Sequence, residues 1–200
     1  AARRAALVEK VKKAGVGKPF DCIIGVSGGV DSTYVAYLTK ELGLRPLAVH
    51  LDNGWNDVRA VKNIKNVLQA CGIPLETYVI DWEEFRDLQK SFLLASTPDS
   101  EVPTDHAIFA CLEQTAARLG VKYVLLGTNV ATESILPKSW SHGHMDWLYI
   151  RSVHRQFGSV PLVTFPRKTF WNKFYYTYFL GVRSVPILDY LDYQKKEALQ

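Results

Sequence analysis

Cysteines are few in this chain of 200 residues, and the three present, Cys22, Cys71 and Cys111, show no Cys-x-x-Cys spacing. A disulfide framework or a cysteine-rich metal site is therefore not expected, and a reducing, cytoplasmic compartment is the default. Apolar runs of about 18 residues, long enough to cross a membrane, are also lacking, so no transmembrane helix is predicted. The basic, alanine-rich first residues are not followed by the apolar core of a signal peptide.

A large excess of charge is missing as well. The chain has 24 Lys and Arg against 20 Asp and Glu, a formal net charge of +4. This balance suits an anionic substrate such as a nucleotide but is too small to indicate a nucleic acid partner. Apolar residues make up 48% of the chain, enough to bury a sizeable core in one domain. Because the chain starts without Met and ends within a charged helical pattern, we expect a fragment of a longer protein.

Apolar runs alternate with helical patterns through most of the chain. We predict strands over residues 22–26, 46–51, 75–80, 123–126 and 185–188, and helices over 1–13, 32–42, 57–70, 81–95 and 104–119. Strands separated by helices of about 12 residues indicate an α/β fold, a Rossmann-like open parallel sheet with helices on both faces. Within one domain, we predict an N-terminal helix over 1–19, a nucleotide-binding core over 20–127 and an irregular, aromatic-rich extension on the substrate or partner side over 128–200.

The stretch directly after the first strand has the sequence Ser27-Gly28-Gly29-Val30-Asp31-Ser32. Adjacent glycines let the backbone take positive φ or come close to another group. The helix that follows presents unpaired N–H groups and the positive end of its dipole at this turn. Strand, glycine turn and helix start together predict an anion site, usually for phosphate. An ordinary turn capped by Asp31 or Ser32 is the alternative.

This stretch resembles the PP-loop of the ATP pyrophosphatases, which include the synthetase domains of GMP, NAD and asparagine synthetases and the tRNA thiolation enzymes. It lacks the Gly-Lys-Ser/Thr of a Walker A motif. The resemblance implies that ATP binds with its pyrophosphate part on Ser27, Gly28, Gly29, Val30, Asp31 and Ser32. It also implies attack at the α-phosphorus of ATP and release of pyrophosphate.

Polar residues also follow the later strands, at the edge where ligands of an open parallel sheet bind. They are Asp52, Asn53 and Gly54 after the second strand, Asp81 after the third, and Gly127, Thr128 and, one turn on, Glu133 after the fourth.

Two carboxylates among these residues are candidate ligands of Mg²⁺, which prefers a few carboxylates together with phosphate oxygens. They are Asp31, which would thereby act in catalysis, and Glu133. A helix cap for Asp31 and a solvated loop position for Glu133 are the alternatives. The segment from Gly127 to Glu133 is similar to the Gly-Thr…Glu segment of NAD and GMP synthetases, which implies that Thr128 contacts phosphate and that Glu133 holds Mg²⁺.

Lys138, on a proline-anchored loop, is the candidate for a catalytic cation on the leaving pyrophosphate, where charge develops in the transition state. A surface lysine is the alternative. Arg167 and Lys168 are weaker candidates for the same role.

In related PP-loop enzymes the second strand ends near the nucleoside, which implies that Asp52 or the backbone of Asn53 contacts ribose or adenine. For Asp52, a cap between strand and turn is the alternative. Trp55 could cover the base or simply pack.

Histidines occur in two further stretches of interest. In Thr104-Asp105-His106 the last two residues could form a base with its orienting carboxylate, although a helix capped by Thr104 with a satisfied histidine is favoured. His142 and His144 have a spacing that metal ligands can use.

Five segments together resemble the N-acetyl sugar amidotransferase family, whose members are associated with lipopolysaccharide O-antigen and related surface-sugar synthesis. They are DCIIGVSGGVDS, LAVHLDNGWN, VIDWEEFRDLQ, PTDHAIFA and TESILPKSW, and the resemblance runs from about Lys10 to the end of the chain. It implies that the acetamido oxygen of a nucleotide-linked N-acetyl sugar attacks ATP to give an imidoyl-adenylate. Ammonia then displaces AMP and leaves an acetamidino group.

The source of ammonia is expected to be a separate glutaminase subunit. No cysteine of the chain lies in a Gly-x-Cys-x-Gly elbow, and the chain does not begin with a cysteine nucleophile. The aromatic residues 165–179 are candidates for sugar stacking or a subunit contact, with a packed helix as the alternative.

Two other functions stay open. A tRNA thiolation enzyme would need a catalytic cysteine pair or iron–sulfur ligands, and Cys111 is expected instead to be a small buried apolar residue. A non-catalytic nucleotide-binding domain would not need Asp31, Glu133 and Lys138 together.

Overall fold

A parallel sheet forms the centre of the computed structural model, which describes residues 2–128 and 143–190. Its strands are β1 (Cys22–Gly25), β2 (Pro46–Asp52), β3 (Leu75–Val79), β4 (Tyr123–Leu126) and β5 (Arg183–Pro186). They lie in the order β3-β2-β1-β4-β5, and all neighbouring pairs are parallel. The predicted open parallel sheet is confirmed.

Helices cover both faces of this sheet, as predicted. They are α1 (Ala2–Ala14), α2 (Val30–Glu41), α3 (Val58–Cys71), α4 (Trp82–Leu94), α5 (Val102–Arg118), α6 (Trp147–Phe157) and α7 (Phe170–Phe174). A π-helical turn (Tyr175–Phe179) follows α7, and a 3₁₀ turn (Ile187–Tyr190) follows β5. The first three helices pack on one face around Val11, Val35 and Leu68, and α5 packs on the other through Leu112 and Ala116. Within the described ranges, no helix is both long and apolar enough to span a membrane.

β1 occupies the middle of the sheet because both of its faces are apolar. Ile24 belongs to the cluster formed with α1, α2 and α3, whereas Ile23 belongs to the cluster formed with α5. Successive side chains of a strand point to opposite faces, so a strand covered on both sides is a continuous apolar run. The glycine stretch that follows β1 therefore starts at the centre of the sheet edge.

The chain after residue 143 is held against α4. α6 packs against this helix in a buried cluster that is separate from the other two. Beyond α6, Glu84 accepts a hydrogen bond from the N–H of Thr164 at 2.8 Å, and Asp87 accepts one from the N–H of Ser159 at 2.8 Å. Two carboxylates one turn apart on α4 thus fix the irregular segment that leads to β5.

Two predicted boundaries are wrong. α5 begins at Val102 rather than at Thr104, and Glu101 holds the N-cap position without a side-chain hydrogen bond. Pro103 fits the first helical turn, where its missing N–H is not needed, so the helix begins before Thr104 and that residue does not cap it. The last strand covers 183–186 rather than 185–188, because Ile187 is buried in the 3₁₀ turn that follows.

Candidate functional site

A pocket of about 410 Å³ opens at the carboxyl ends of β1, β2 and β4. β2 and β4 leave β1 on opposite sides, so the pocket lies where the strand order reverses and where ligands of open α/β sheets bind. Its volume lies in the range of roughly 300–1,000 Å³ that is typical of small-molecule sites. Of the predicted site residues it is lined by Ser27, Gly29, Asp31, Ser32, Gly127 and Thr128.

The loop between β1 and α2 depends on Gly28 for its conformation. This residue has φ of +78°, and a Cβ placed there would lie 2.4 Å from the carbonyl oxygen of Ala60 in α3. The next residue, Gly29, is the N-cap of α2 and has no side chain to cap the first turn. The first-turn N–H groups of α2 and the positive end of its dipole are therefore presented at the loop, as an anion site requires.

Two serines hold this loop in a closed shape. The Ser32 hydroxyl accepts from the backbone N–H of Ser27 at 3.2 Å and donates to the carbonyl of Gly29 at 3.1 Å. The hydroxyls of the two serines also lie 3.2 Å apart. Ser32 thus links both ends of the loop. It does not cap the helix, which was the alternative role considered for this residue.

The end of β4 reaches the same loop through Gly127. A Cβ at this position would lie 3.3 Å from both the carbonyl carbon and the carbonyl oxygen of Asp31. Glycine thus allows the backbone after β4 to come close to the first turn of α2. Thr128 follows directly and lines the pocket, which agrees with a position near the loop but leaves its contact with phosphate a prediction.

Asp31 and Asp52 occupy different surroundings. Asp31 lies in the first turn of α2 and lines the pocket. Asp52 instead holds the turn after β2, because its carboxylate accepts from the N–H of Gly54 at 3.1 Å and from Asn56 Nδ2 at 2.8 Å. At this strand end the pocket is lined by Asn53 and Asn56, so the predicted contact of Asp52 with the nucleoside stays a prediction.

The predicted Mg²⁺ site is only partly within the described chain. Among the described residues no group of three or more His, Cys, Asp or Glu side chains could hold a metal ion. Asp31 lines the pocket, and Mg²⁺ commonly uses one or two carboxylates with phosphate oxygens and water. Binding of the ion together with a nucleotide stays a prediction. Glu133, Lys138 and His142 lie outside the described residues.

The structure corrects the role expected for Lys168 and places Arg167 and Trp55 beside aromatic rings. Lys168 is buried, and its Nζ lies 2.5 Å from Glu113 Oε1, so it forms an internal ion pair rather than a free cation for pyrophosphate. The Arg167 guanidinium lies over the ring of Trp147, 5.9 Å from its centroid. Trp55 is 65% exposed and stands edge-on to Trp82, with 5.4 Å between the ring centroids, so the packing contact is present and its place over the base stays a prediction.

His106 is a structural residue rather than a base. Its Nδ1 lies 2.8 Å from the carbonyl of His144, and its Nε2 accepts from the N–H of Lys168 at 3.0 Å. Both ring nitrogens are therefore engaged, and burial lowers the pKa of this histidine, with partial compensation from the His144 carbonyl. Nε2 of His144 lies 3.0 Å from Oδ2 of Asp99 and 3.6 Å from Oδ2 of Asp105. Both carboxylates are distant from His144 in the sequence, so the residues around His144 did not indicate them.

Several pocket residues were missed by the sequence analysis. They are His50 from β2, Asn56 before α3, and Ile108 and Phe109 from α5. The local signal for His50 was a polar residue inside an apolar strand. Ile108 and Phe109 reach the pocket because α5 packs beside β1 and β2, and this also brings in Thr104 and Asp105, which the sequence analysis had considered only as a helix cap and an orienting carboxylate.

A glycine loop that ends the central strand of a parallel sheet and opens on a helix N-terminus defines a phosphate-binding α/β protein. Residues 1–143 match the family model described as NAD synthase. The chain therefore belongs to the NAD synthase family, within the PP-loop ATP pyrophosphatases.

Two curated relatives act on tRNA. The chain is 30% identical over 126 residues to the tRNA-specific 2-thiouridylase MnmA of Staphylococcus epidermidis, which covers 55% of this chain and 33% of that protein. It is 36% identical over 67 residues to the tRNA(Ile)-lysidine synthase of Chlamydia pneumoniae, which covers 32% of this chain and 21% of that protein. The chain thus spans a third or less of the length of these relatives.

Two solved structures share the fold. The glutamine-dependent NAD⁺ synthetase of Acinetobacter baumannii, in complex with ADP, superposes with a TM-score of 0.52 at 18% identity, over 66% of this chain and 25% of that chain. A predicted subunit of tRNA methyltransferase from Methanocaldococcus jannaschii gives a TM-score of 0.51 at 13% identity, over 89% and 72% of the two chains. At such identities the likeness concerns the fold alone.

Proposed function

We propose that this chain binds ATP with Mg²⁺ in the pocket at the end of β1 and activates an oxygen of a second substrate by adenylation. The observation that carries the proposal is the uncapped start of α2 at the glycine loop, which opens into a pocket of nucleotide size. Family membership supports it, because the PP-loop enzymes share this strand, loop and helix. A nucleophile would attack the α-phosphorus, and pyrophosphate would leave toward the loop.

Different residues would carry out different parts of this chemistry. The first-turn amides of α2 would hold the β- and γ-phosphates, where negative charge increases as pyrophosphate leaves. Asp31, together with Glu133, would hold Mg²⁺, which neutralises charge on the triphosphate. We further propose that Lys138 binds the leaving pyrophosphate and that Thr128 contacts a phosphate.

For the second substrate we propose a nucleotide-linked N-acetyl sugar. Its acetamido oxygen would form the bond to the α-phosphorus, and ammonia would then add to the imidoyl carbon and displace AMP to leave an acetamidino group. An amide oxygen leaves poorly by itself, so adenylation supplies the leaving group. Three of the five sequence segments that carry the family resemblance supply pocket residues. Besides the glycine loop, they contribute Asn53 and Asn56 from the second segment and Thr104 and Asp105 from the fourth.

Thiolation of tRNA is the second candidate, favoured by the likeness to 2-thiouridylases. This chemistry requires a reactive thiolate. Cys111 lines the pocket, but burial, with a smaller contribution from Glu76, raises its pKa to about 12. Burial also raises the pKa of Cys22. These two thiols thus stay protonated at neutral pH, and neither supplies the reactive thiolate that thiolation would need.

Exchange of radiolabelled pyrophosphate into ATP separates the candidates. A UDP-linked N-acetyl sugar should stimulate exchange if the sugar proposal is right, whereas stimulation by tRNA alone would favour thiolation. Absence of exchange under every condition would indicate a non-catalytic nucleotide-binding domain.

Asp31→Asn should reduce exchange by on the order of 100-fold. Asp57→Asn is the matched control, because Asp57 caps α3 outside the pocket lining and Asn caps helices equally well.

We propose that ammonia comes from a separate glutaminase subunit. Purified chain should then form the acetamidino product with ammonium salts and not with glutamine. Glutamine-dependent product formation by the purified chain alone would contradict this part of the proposal without affecting adenylation.

A further inference from the structure

Two residues that line the pocket each carry a buried polar atom with no hydrogen-bond partner within the described structure. These atoms are Nε2 of His50, at the end of β2, and Oγ1 of Thr104, in the first turn of α5. The two residues are only 7% and 9% exposed. Most buried polar groups in folded proteins are paired, because an unpaired one loses its hydration without compensation. Such atoms on residues that line a pocket point to a ligand that pairs with them.

The hydrogen-bonding character of His50 Nε2 follows from the other ring nitrogen. His50 Nδ1 lies 2.9 Å from the carbonyl oxygen of Val26. A carbonyl oxygen only accepts hydrogen bonds, so Nδ1 carries the hydrogen and donates. In the neutral ring Nε2 then holds a lone pair and acts as an acceptor. His50 therefore brings to the pocket lining an unpaired acceptor, on a ring whose orientation is fixed by the Val26 carbonyl.

His50 lies beside the end of the strand that leads into the phosphate loop. β2 pairs with β1, and the N–H of Val26 donates to the carbonyl of Val49 at 3.0 Å. Neighbouring strands are about 4.8 Å apart, so a nucleotide with its phosphates on the loop can bring its sugar or base to His50. Phosphate oxygens do not suit this position, because two acceptors repel.

We propose that His50 Nε2 accepts a hydrogen bond from an N–H or O–H group of the bound nucleoside and selects nucleotides that carry this donor. The donor is either the exocyclic amino group of adenine or a ribose hydroxyl. The proposal rests on the proposed function in that ATP is the nucleotide bound. His50 acts as a specificity residue of that site and takes no part in the transfer itself.

Binding of nucleotide analogues to the wild-type chain tests the proposal directly. Calorimetry would compare ATP with purine riboside triphosphate, which lacks the amino group, and with 2′-deoxy-ATP and 3′-deoxy-ATP, which each lack one hydroxyl. One of these analogues should bind about tenfold more weakly than ATP, the effect of roughly one lost hydrogen bond. The affected analogue identifies the donor.

His50→Asn is the matched variant. The shorter Asn amide can replace Nδ1 as the donor to Val26 but cannot reach the position of Nε2. The His50→Asn chain should bind ATP about tenfold more weakly than the wild type does. Its affinity for the analogue that the wild type binds weakly should be unchanged, so the preference for ATP disappears. His50→Gln, which can place an amide oxygen near the position of Nε2, should retain the preference.

Three results would overturn the inference: equal binding of ATP and all analogues by the wild type, a preference that survives in His50→Asn, or an equal loss for every nucleotide in that variant. The wild-type measurement needs no variant, so the inference can fail even if His50→Asn does not fold. If the wild type binds no nucleotide at all, the proposed function fails as well. Normal ATP binding without discrimination contradicts only the role of His50.

Discussion

Gly28 combines two constraints at a single residue. Its φ is positive, and its α-carbon lies so close to α3 that a Cβ would collide with the backbone of Ala60. Gly120, which follows α5, has a similar φ of +66°, but a Cβ there would meet nothing within 4 Å. Alanine substitutions at these two glycines therefore separate the free-energy cost of the positive φ from the cost of the close approach to α3.

Gly28→Ala should destabilise the chain more than Gly120→Ala. A left-handed conformation costs an L-residue about 1–2 kcal/mol, and Gly28→Ala must also displace α3 from the loop. We expect a loss of about 1 kcal/mol in the free energy of unfolding for Gly120→Ala and of roughly 3 kcal/mol for Gly28→Ala. Urea denaturation measures both, and nucleotide binding should be weakened only by Gly28→Ala. Equal losses in the two variants would show that α3 moves freely away from the loop.

Some residues of the site could be predicted from sequence because their role is local. The loop from Ser27 to Ser32 is a property of one short stretch and lies at the pocket. Gly127 also lies there, but its close approach to Asp31 is a long-range contact that its own stretch does not reveal. The interpretation of Lys168 as an available cation was wrong because its partner, Glu113, is 55 residues away in the chain. The acceptor role of His50 likewise depends on the Val26 carbonyl of a neighbouring strand.

At the scale of elements, helix α4 holds a segment that has little regular structure of its own. Asp87 accepts hydrogen bonds from the N–H groups of Ser159 and Val160, from the Ser159 hydroxyl and from His154. Burial alone would raise the pKa of Asp87, but these hydrogen bonds outweigh burial and lower it to about 2. The carboxylate form is thus favoured by folding.

This shift predicts how stability depends on pH. An unfolded Asp has a pKa of about 3.9, so the contribution of Asp87, on the order of 2 kcal/mol, is complete above that pH and is lost as pH falls toward about 2. Asp87→Asn should lower the free energy of unfolding at pH 7 and reduce its decline between pH 4 and pH 2, as measured by urea denaturation. Glu83→Gln, which removes an exposed carboxylate of the same helix, controls for the loss of one negative charge. If the free energy of unfolding falls as much between pH 4 and pH 2 in Asp87→Asn as in the wild type, Asp87 is not the group responsible.

Elements were predictable where burial on both sides produces continuous apolar runs. β1, β2 and β4 are of this kind, and Asp81 caps α4 as expected, with its side chain 3.0 Å from the N–H of Glu84. The edge strand β5 was misplaced because Arg183 and Ser184 are exposed and give no apolar pattern. The aromatic residues of α7 and the π-helical turn were hard to assign because Trp171 and Tyr178 are about three-quarters exposed and do not pack as a core helix.

At the scale of the whole molecule, the chain after residue 143 is tied to the sheet through α5. Lys168 pairs with Glu113 inside the protein, and its backbone N–H donates to His106 on the same helix. Phe165, three residues earlier, is buried in the cluster of α4 and α6. These contacts place the segment against the helix whose first turn lines the nucleotide pocket.

The buried ion pair gives a direct test of this connection. The side chains of Lys168 and Glu113 are only 7% and 11% exposed, so removal of either partner leaves a charge without compensation. Lys168→Met and Glu113→Leu should each lower the free energy of unfolding by about 3–5 kcal/mol, whereas the double variant should recover most of that loss because both charges are gone. Urea denaturation of the four chains completes the cycle. Losses below about 1 kcal/mol for both single variants would mean that water reaches the pair, as in surface ion pairs, and that the segment is attached to α5 by its apolar contacts alone.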